Sequence, residues 1–252
     1  MIGIFDSGSG GLTVLKAVRE KMPSADILYF GDIKHAPYGS RSHSELSALT
    51  VQAVELLQKR GATSIISACN SVSASLAVSL FDALSLSPEH LIEMVGPTVS
   101  SFRNSSERLL LAATPATIDA GIYQNAFRML GNEIEVVAIP DLAAAIEFGS
   151  PEEDIERIIR DAFAHISPSD FDTLILACTH YPLVAHLFER VLGELSLFNP
   201  ALAVGERAKR QLWPREVGDG ATHFVLSKDS EYFRDRVKEL VPSGDFSLEV
   251  LD

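Results

Sequence analysis

Thr63-Ser-Ile-Ile-Ser-Ala-Cys69-Asn-Ser71 and Thr173-Leu-Ile-Leu-Ala-Cys178-Thr-His180 read as two copies of one unit. Each runs apolar or β-branched up to a cysteine and then turns polar, the pattern of a buried strand entering a loop. They hold the only two cysteines in 252 residues. A thiol set twice at the same point of a repeated strand-to-loop unit suggests a pair acting on one site from two sides. Inverting a stereocentre is one of the few reactions that needs two equivalent acid/base groups.

The repeat extends beyond the cysteines. Asp6 and Thr114, each closing a strand-like run, stand 108 positions apart; Asp32 and Asp141, Tyr38 and Glu147, and Cys69 and Cys178 each stand 109 apart. One register serving four landmarks favours two similar α/β halves. The stretch from Glu45 to Arg60 places Leu46, Leu49, Ala53, Leu56 and Leu57 at helical spacing, with Ser42 and Glu45 as a capping box and Gly61 as a stop. Ser150-Pro-Glu-Glu153 opens a second such helix, with Ile155, Ile158, Ile159 and Phe163 on one face. Between helices lie short apolar runs at 27–30, 64–68, 109–113, 134–139 and 174–177. Strands that alternate with helices and lack in/out alternation belong to a parallel sheet covered on both faces. Ligands collect at the carboxyl ends of such strands, where Asp6, Asp32, Cys69, Thr114, Asp141 and Cys178 fall.

Composition narrows the function classes. A content of 46% hydrophobic residues suffices for a full core. A formal net charge of −13 without a basic run argues against a nucleic-acid groove, and any anionic ligand must be held by local donors. No apolar run reaches membrane-spanning length, and the opening Met1-Ile-Gly-Ile-Phe5-Asp6 lacks the features of a signal peptide. The cytoplasm is the expected compartment, with both thiols reduced. No membrane partner is expected. Tyr29, Phe30 and Trp213 fit a core or an ordinary surface better than an interface. Whether the chain works alone or as a homodimer stays open.

The glycine-rich loop Asp6-Ser-Gly-Ser-Gly-Gly11 follows a strand but has threonine at 13, where a dinucleotide fingerprint needs glycine, and no phosphate-loop lysine. It suits a nest of backbone N–H groups for a carboxylate at the start of a helix over 12–18, or a tight turn that merely needs glycine. A cysteine taken singly packs as a small hydrophobe; the matched pair favours chemistry. Metal is disfavoured, since there is no CxxC and only His180 lies beside a thiol. A base thiol needs help to ionise, which the amino end of a helix after each cysteine could supply. Asp6 and His180 are candidates to shuttle or hold the thiol protons. Asp6 serves equally as a helix cap, and His180 beside Cys178 favours catalysis over a core role.

Together, Asp6-Ser-Gly-Ser-Gly-Gly-Leu12, Tyr29-Phe-Gly-Asp32 with Pro37-Tyr-Gly39, Ala68-Cys-Asn70, Thr114-Pro-Ala-Thr117 and Cys178-Thr-His-Tyr-Pro182 resemble the glutamate racemases of the aspartate/glutamate racemase superfamily, in the family's order and over essentially the whole chain. The resemblance implies two α/β domains related by a pseudo-twofold axis, with mainly parallel sheets flanked by helices and the active site in the cleft between them. Residues 1–94 and 205–252 would form the first domain and 95–204 the second. It implies a cofactor-independent enzyme that interconverts L- and D-glutamate and supplies D-glutamate for peptidoglycan. Cys69 and Cys178 would be acid and base, with Asp6, His180 and Glu147 supporting them. Substrate contacts would fall to Asp6, Ser7, Tyr38, Gly39, Asn70, Ser71, Thr179 and His180, with Thr114 and Thr117 lining the pocket. Three departures stand out: Ser71 where the family usually has threonine, Ala177 where it usually has glycine, and Asn199-Pro200 in place of an Asp-Ser segment. Alternatives are aspartate racemisation, a related isomerisation or decarboxylation needing one thiol, and non-catalytic amino-acid binding.

Overall fold

The computed structural model describes residues 1–73, 84, 86–241 and 246–251. Among the described residues, ten strands form two sheets. The first holds β1 (Ile2–Asp6), β2 (Ile27–Gly31), β3 (Ser64–Ser67), β4 (Leu91–Ile92), β9 (Thr222–Leu226) and β10 (Phe246–Val250), in the order β10-β9-β2-β1-β3-β4. The second holds β5 (Leu109–Ala113), β6 (Ile134–Ala138), β7 (Thr173–Ala177) and β8 (Ser196–Phe198), in the order β6-β5-β7-β8. Every ladder is parallel. The run β2-β1-β3-β4 and the whole second sheet therefore share one topology, so the duplication seen around the cysteines is a duplication of the fold.

Strand interiors are apolar at successive residues because both faces are covered. Ile2 and Ile4 pack with Leu12, Val204 and Phe233 from the helices Leu12–Lys21, Pro200–Leu212 and Glu231–Leu240. Phe5 points the other way, toward Leu46, Val54 and Leu57 of the helix His43–Lys59. The second sheet repeats the scheme. Leu110 and Ala112 meet Leu142, Ile155 and Phe188, while Leu109 and Leu111 meet Val99, Tyr123 and Phe127. Strand β6 departs from the expected two-sided cover: it is an edge strand with Glu135 and Ala138 exposed.

The helix His43–Lys59 starts on the expected capping box: the Glu45 N–H donates to Ser42 Oγ and the Ser42 N–H to Glu45 Oε2. Gly61, at φ 95°, ends it in the left-handed region that glycine enters without cost. The second expected helix runs Glu152–Ala162 and buries Ile155 and Ile159; Glu152, Glu153 and Asp154 in its first turn suit the amino end of the dipole. Tyr29 and Phe30 are core residues, whereas Trp213 is exposed.

The chain passes between the sheets twice, after β4 and after β8. The second passage is the helix Pro200–Leu212, which packs along Leu12–Lys21. Their contact needs Gly205, where a Cβ would lie 2.7 Å from the Ala17 carbonyl oxygen. Backbone at this point cannot swing aside as a side chain could. Gly205→Val is expected to lower the free energy of unfolding by about 2 kcal/mol, since overpacking of about 1–3 kcal/mol outweighs the few tenths gained in helix propensity. Urea unfolding measures it; a variant as stable as the parent would mean that the helices part without penalty.

Candidate active site

The carboxyl ends of the central strands point into one buried region. Asp6 ends β1, Cys69 follows β3, Thr114 follows β5 and Cys178 follows β7. Each half reaches into the other there. From the first half, the loop after β1 meets the Cys178 loop: Thr179 Oγ1 donates to Asp6 Oδ2 at 3.1 Å. From the second half, the loop after β5 meets the Cys69 loop: the hydroxyls of Ser71 and Thr114 lie 2.9 Å apart, and Thr117 joins them at 3.1 Å from Thr114. The matching extends one layer out. Glu147, following β6, takes hydrogen bonds from Ser9 of the β1 loop, and Gly39, following β2, packs against Thr114 of the β5 loop.

Glycine makes these approaches sterically open. A Cβ on Gly10 would stand 2.6 Å from His180 Nδ1 and from Thr179 Oγ1, and one on Gly39 would stand 2.6 Å from Thr114 Cγ2. The glycine loop is thus neither a phosphate cradle nor a bare turn. Its N–H groups hold carboxylates of the chain itself, Gly8 donating to Asp6 Oδ1 at 3.0 Å and Ser9 to Glu147 Oε2 at 2.8 Å.

Around Cys178 the geometry is that of a relay. Its Sγ lies 3.9 Å from His180 Nδ1, and His180 Nε2 lies 2.7 Å from Glu147 Oε2. The same Glu147 oxygen accepts from the Ser9 hydroxyl at 2.6 Å. Burial disfavours a charged His180, but hydrogen bonds to Cys178 and Glu147 outweigh it and hold the imidazole pKa well above the ordinary histidine value. An imidazolium beside a sulfur stabilises thiolate. Asp6 sits in the same shell, its pKa raised by burial against the opposing pull of His180 and the Gly8 N–H.

Cys69 is differently supported. Burial first, and the Asp6 charge second, push its thiol pKa up, while backbone N–H groups of Val72 and Ser71 act the other way. Those amides belong to the helix that begins at Asn70. The expected helix after Cys178 does not start there. Pro182 sits in a 3₁₀ turn over Tyr181–Val184, and the α-helix opens only at Ala185, so His180 rather than a helix end faces that sulfur. Cys69 also feels Cys178, which raises its pKa further.

The thirteen residues that the family resemblance implies for the site, Asp6, Ser7, Tyr38, Gly39, Cys69, Asn70, Ser71, Thr114, Thr117, Glu147, Cys178, Thr179 and His180, are buried in the structure; of the other two strand-end positions named from the sequence, Asp32 is buried and Asp141 is exposed. Four supporting contacts were not among the thirteen. Ser9 holds Glu147, Tyr123 donates to Asn70 Oδ1 at 2.6 Å, Tyr29 donates to the Gly8 carbonyl at 2.6 Å, and Asp32 accepts from Tyr38 at 2.6 Å while facing His35 Nδ1 at 2.9 Å. A cavity of about 50 Å³ lies between Pro37, Gly39 and Ser40 of one half and Thr114, Pro140 and Asp141 of the other. Asp141, at φ 62°, is strained backbone at its rim.

A family model for Asp/Glu/Hydantoin racemase matches residues 12–206. The chain belongs to that family. This racemase is 37% identical over 218 residues to the glutamate racemase of Desulforudis audaxviator, covering 85% of this chain and 80% of the relative. Among solved structures, glutamate racemase isoform RacE1 of Bacillus anthracis superposes with a TM-score of 0.88 at 26% identity, covering 100% of this chain and 97% of that one. The Francisella tularensis glutamate racemase, solved in complex with D-glutamate, gives 0.85 at 25% identity, covering 100% of this chain and 97% of that one.

The racemase accommodates its departures from the family pattern locally. Ser71 keeps the hydroxyl that meets Thr114, and the Ala177 methyl is buried among Leu111, Ile175 and Phe127. Asn199 and Pro200 start the helix Pro200–Leu212: Asn199 Oδ1 accepts from the Ala201 N–H, and Pro200 occupies a first-turn position where no N–H is needed. Among the described residues no helix is long and apolar enough to cross a membrane.

Proposed function

We propose that this amino-acid racemase interconverts L- and D-glutamate by passing the α-proton between Cys69 and Cys178, without a cofactor, and so supplies D-glutamate for peptidoglycan in the cytoplasm. The domains are residues 1–94 with 205–252, and 95–204, and the substrate binds between them. The observation that supports this reading is the exchange of loops between matched halves, Ser71 next to Cys69 meeting Thr114 and Thr179 next to Cys178 meeting Asp6, with both cysteines buried.

Removing the α-proton leaves a near-planar carbon, and return of a proton from the opposite face inverts it. The thiol on one face acts as base while the thiol on the other acts as acid, and the roles exchange with direction. On the Cys178 side, His180, held by Glu147, is placed to exchange a proton with the sulfur. On the Cys69 side, the Ser71 and Val72 amides stabilise thiolate, and Asp6 spans the two. Donors from Ser7, Asn70, Ser71, Thr114, Thr117 and Thr179, with Tyr38 and Gly39, hold the carboxylates. In a site shielded from water these contacts strengthen as charge develops on the α-carbon.

Circular dichroism of L-glutamate with the enzyme tests the substrate. The signal is expected to decay to zero, because mirror images have equal free energy, and L-aspartate is expected to react far more slowly. Faster decay of aspartate would make the enzyme an aspartate racemase; binding without decay of either would make it a binding protein.

A further inference from the structure

Asn70 follows Cys69 directly and is 2% exposed. Its side chain carries an acceptor, Oδ1, and a donor, Nδ2, on a group that can turn over. Tyr123 Oη donates to Oδ1 at 2.6 Å, whereas Nδ2 is buried and, among the described residues, without a hydrogen-bond partner. A buried amide donor left unpaired costs free energy that folded proteins usually avoid. Such an orphan beside a reactive sulfur marks a position that a ligand's acceptor completes.

Tyr123 itself comes from the other half, on the helix Ile122–Met129, and is 1% exposed. Its ring is packed among Val99, Phe127 and Leu111, so the hydroxyl has little freedom to follow the amide. Burial pushes the phenol pKa up, which keeps the oxygen protonated and able to donate. A phenol donating to Oδ1 turns both Nδ2 hydrogens away from itself. Without that donor, the amide turned over would present its oxygen, an acceptor with partial negative charge, where a carboxylate must sit, and the two acceptors repel.

We propose that Tyr123 is a positioning residue for the reaction: from the second half it fixes the orientation of the Asn70 amide, so that Nδ2 offers its hydrogens to a carboxylate of the bound amino acid next to Cys69. This rests on the racemase reading above. It adds a residue that touches no substrate and a reason why the two halves must be docked before substrate is bound well.

The contact is made to the substrate and to the transition state alike, so its loss raises KM more than it lowers kcat. Steady-state racemisation of glutamate by Tyr123→Phe, Asn70→Ala and the double variant tests it, with thermal unfolding run alongside. Tyr123→Phe is expected to raise KM about tenfold, the scale of one hydrogen bond to a charged group, with kcat changed far less. In the Asn70→Ala background the same change is expected to add almost nothing, since there is no amide left to orient. Unchanged KM in Tyr123→Phe overturns the proposal, whether or not the melting temperature falls. Equal effects of Tyr123→Phe with and without Asn70 also overturn it, because the phenol would then act elsewhere. If the parent enzyme racemises no glutamate, it is the underlying reading that fails, and that result is separate from either of these.

Discussion

Cys69→Ala and Cys178→Ala are each expected to lower glutamate racemisation by at least about a thousandfold while leaving the protein folded, a loss on the scale of removing a positioned acid or base and its partner step. The chemical reason is that, in the two-thiol mechanism, neither sulfur can reach the face of the α-carbon that the other serves. Abstraction from one face and delivery to the other require groups on both faces, so a single remaining thiol can only return the proton to where it came from. Both cysteines are nearly fully buried, Cys69 at 5% and Cys178 at 6% exposure, so truncation removes one sulfur from a packed site. The cost to stability is expected to be about 1 kcal/mol, the scale of a small large-to-small change. Circular dichroism of the substrate reads the activity, and far-ultraviolet dichroism with urea unfolding reads the fold. Normal turnover by either variant would falsify the two-thiol mechanism. If only Cys69 proved essential, a one-thiol isomerase would take its place.

The duplicated unit was legible because it is local. A strand buried on both faces has to be apolar at successive residues, and a loop at its carboxyl end turns polar, so Ser64–Ser67 with Cys69 and Thr173–Ala177 with Cys178 announce themselves. Of the strands that escaped notice, Leu91–Ile92, Ser196–Phe198 and Phe246–Val250 are short or at an edge, whereas Thr222–Leu226 lies inside the first sheet and is mostly buried. Leu91–Ile92 has two residues, and Phe246–Val250 is largely exposed, which leaves too few apolar positions for a pattern. The position of the first sheet's last two strands depends on pairing between β2 and β9, far apart in sequence, and nothing in either segment encodes its neighbour.

The supporting shell of the site was illegible for a related reason. Ser9 meets Glu147 across 138 positions and Tyr123 meets Asn70 across 53, and each is an ordinary residue within its own segment. Serine in a glycine loop reads as turn chemistry, and tyrosine on an amphipathic helix reads as core. Pro182, by contrast, was in view. Two residues after His180 it favours a tight first turn, and the delayed α-helix leaves the Cys178 sulfur to the imidazole instead of a helix end. That difference breaks the symmetry of an otherwise matched pair: a helix begins directly after Cys69, whereas the His180 imidazole faces Cys178.

The asymmetry leads to the second large effect. His180→Asn keeps a polar side chain of similar reach but removes the ionisable ring between Cys178 and Glu147, and racemisation is expected to fall about a hundred- to ten-thousandfold, the range for a lost acid/base partner. The loss must be equal in both directions when expressed as kcat/KM, because the equilibrium constant between enantiomers is one for every variant. Isotope effects are not bound by that equality. When the Cys178 step becomes the slow one, the enantiomer that gives its proton to Cys178 should show a larger primary effect with deuterium at the α-carbon. Its mirror image gives its proton to Cys69 first and then waits for delivery from Cys178. For that enantiomer the substrate effect should shrink, and the solvent effect in heavy water should grow. The parent enzyme supplies the reference for both. Isotope effects that rise together for the two enantiomers would mean that His180 serves both thiols or merely supports the shell, and the division of labour between relay and helix end would be wrong.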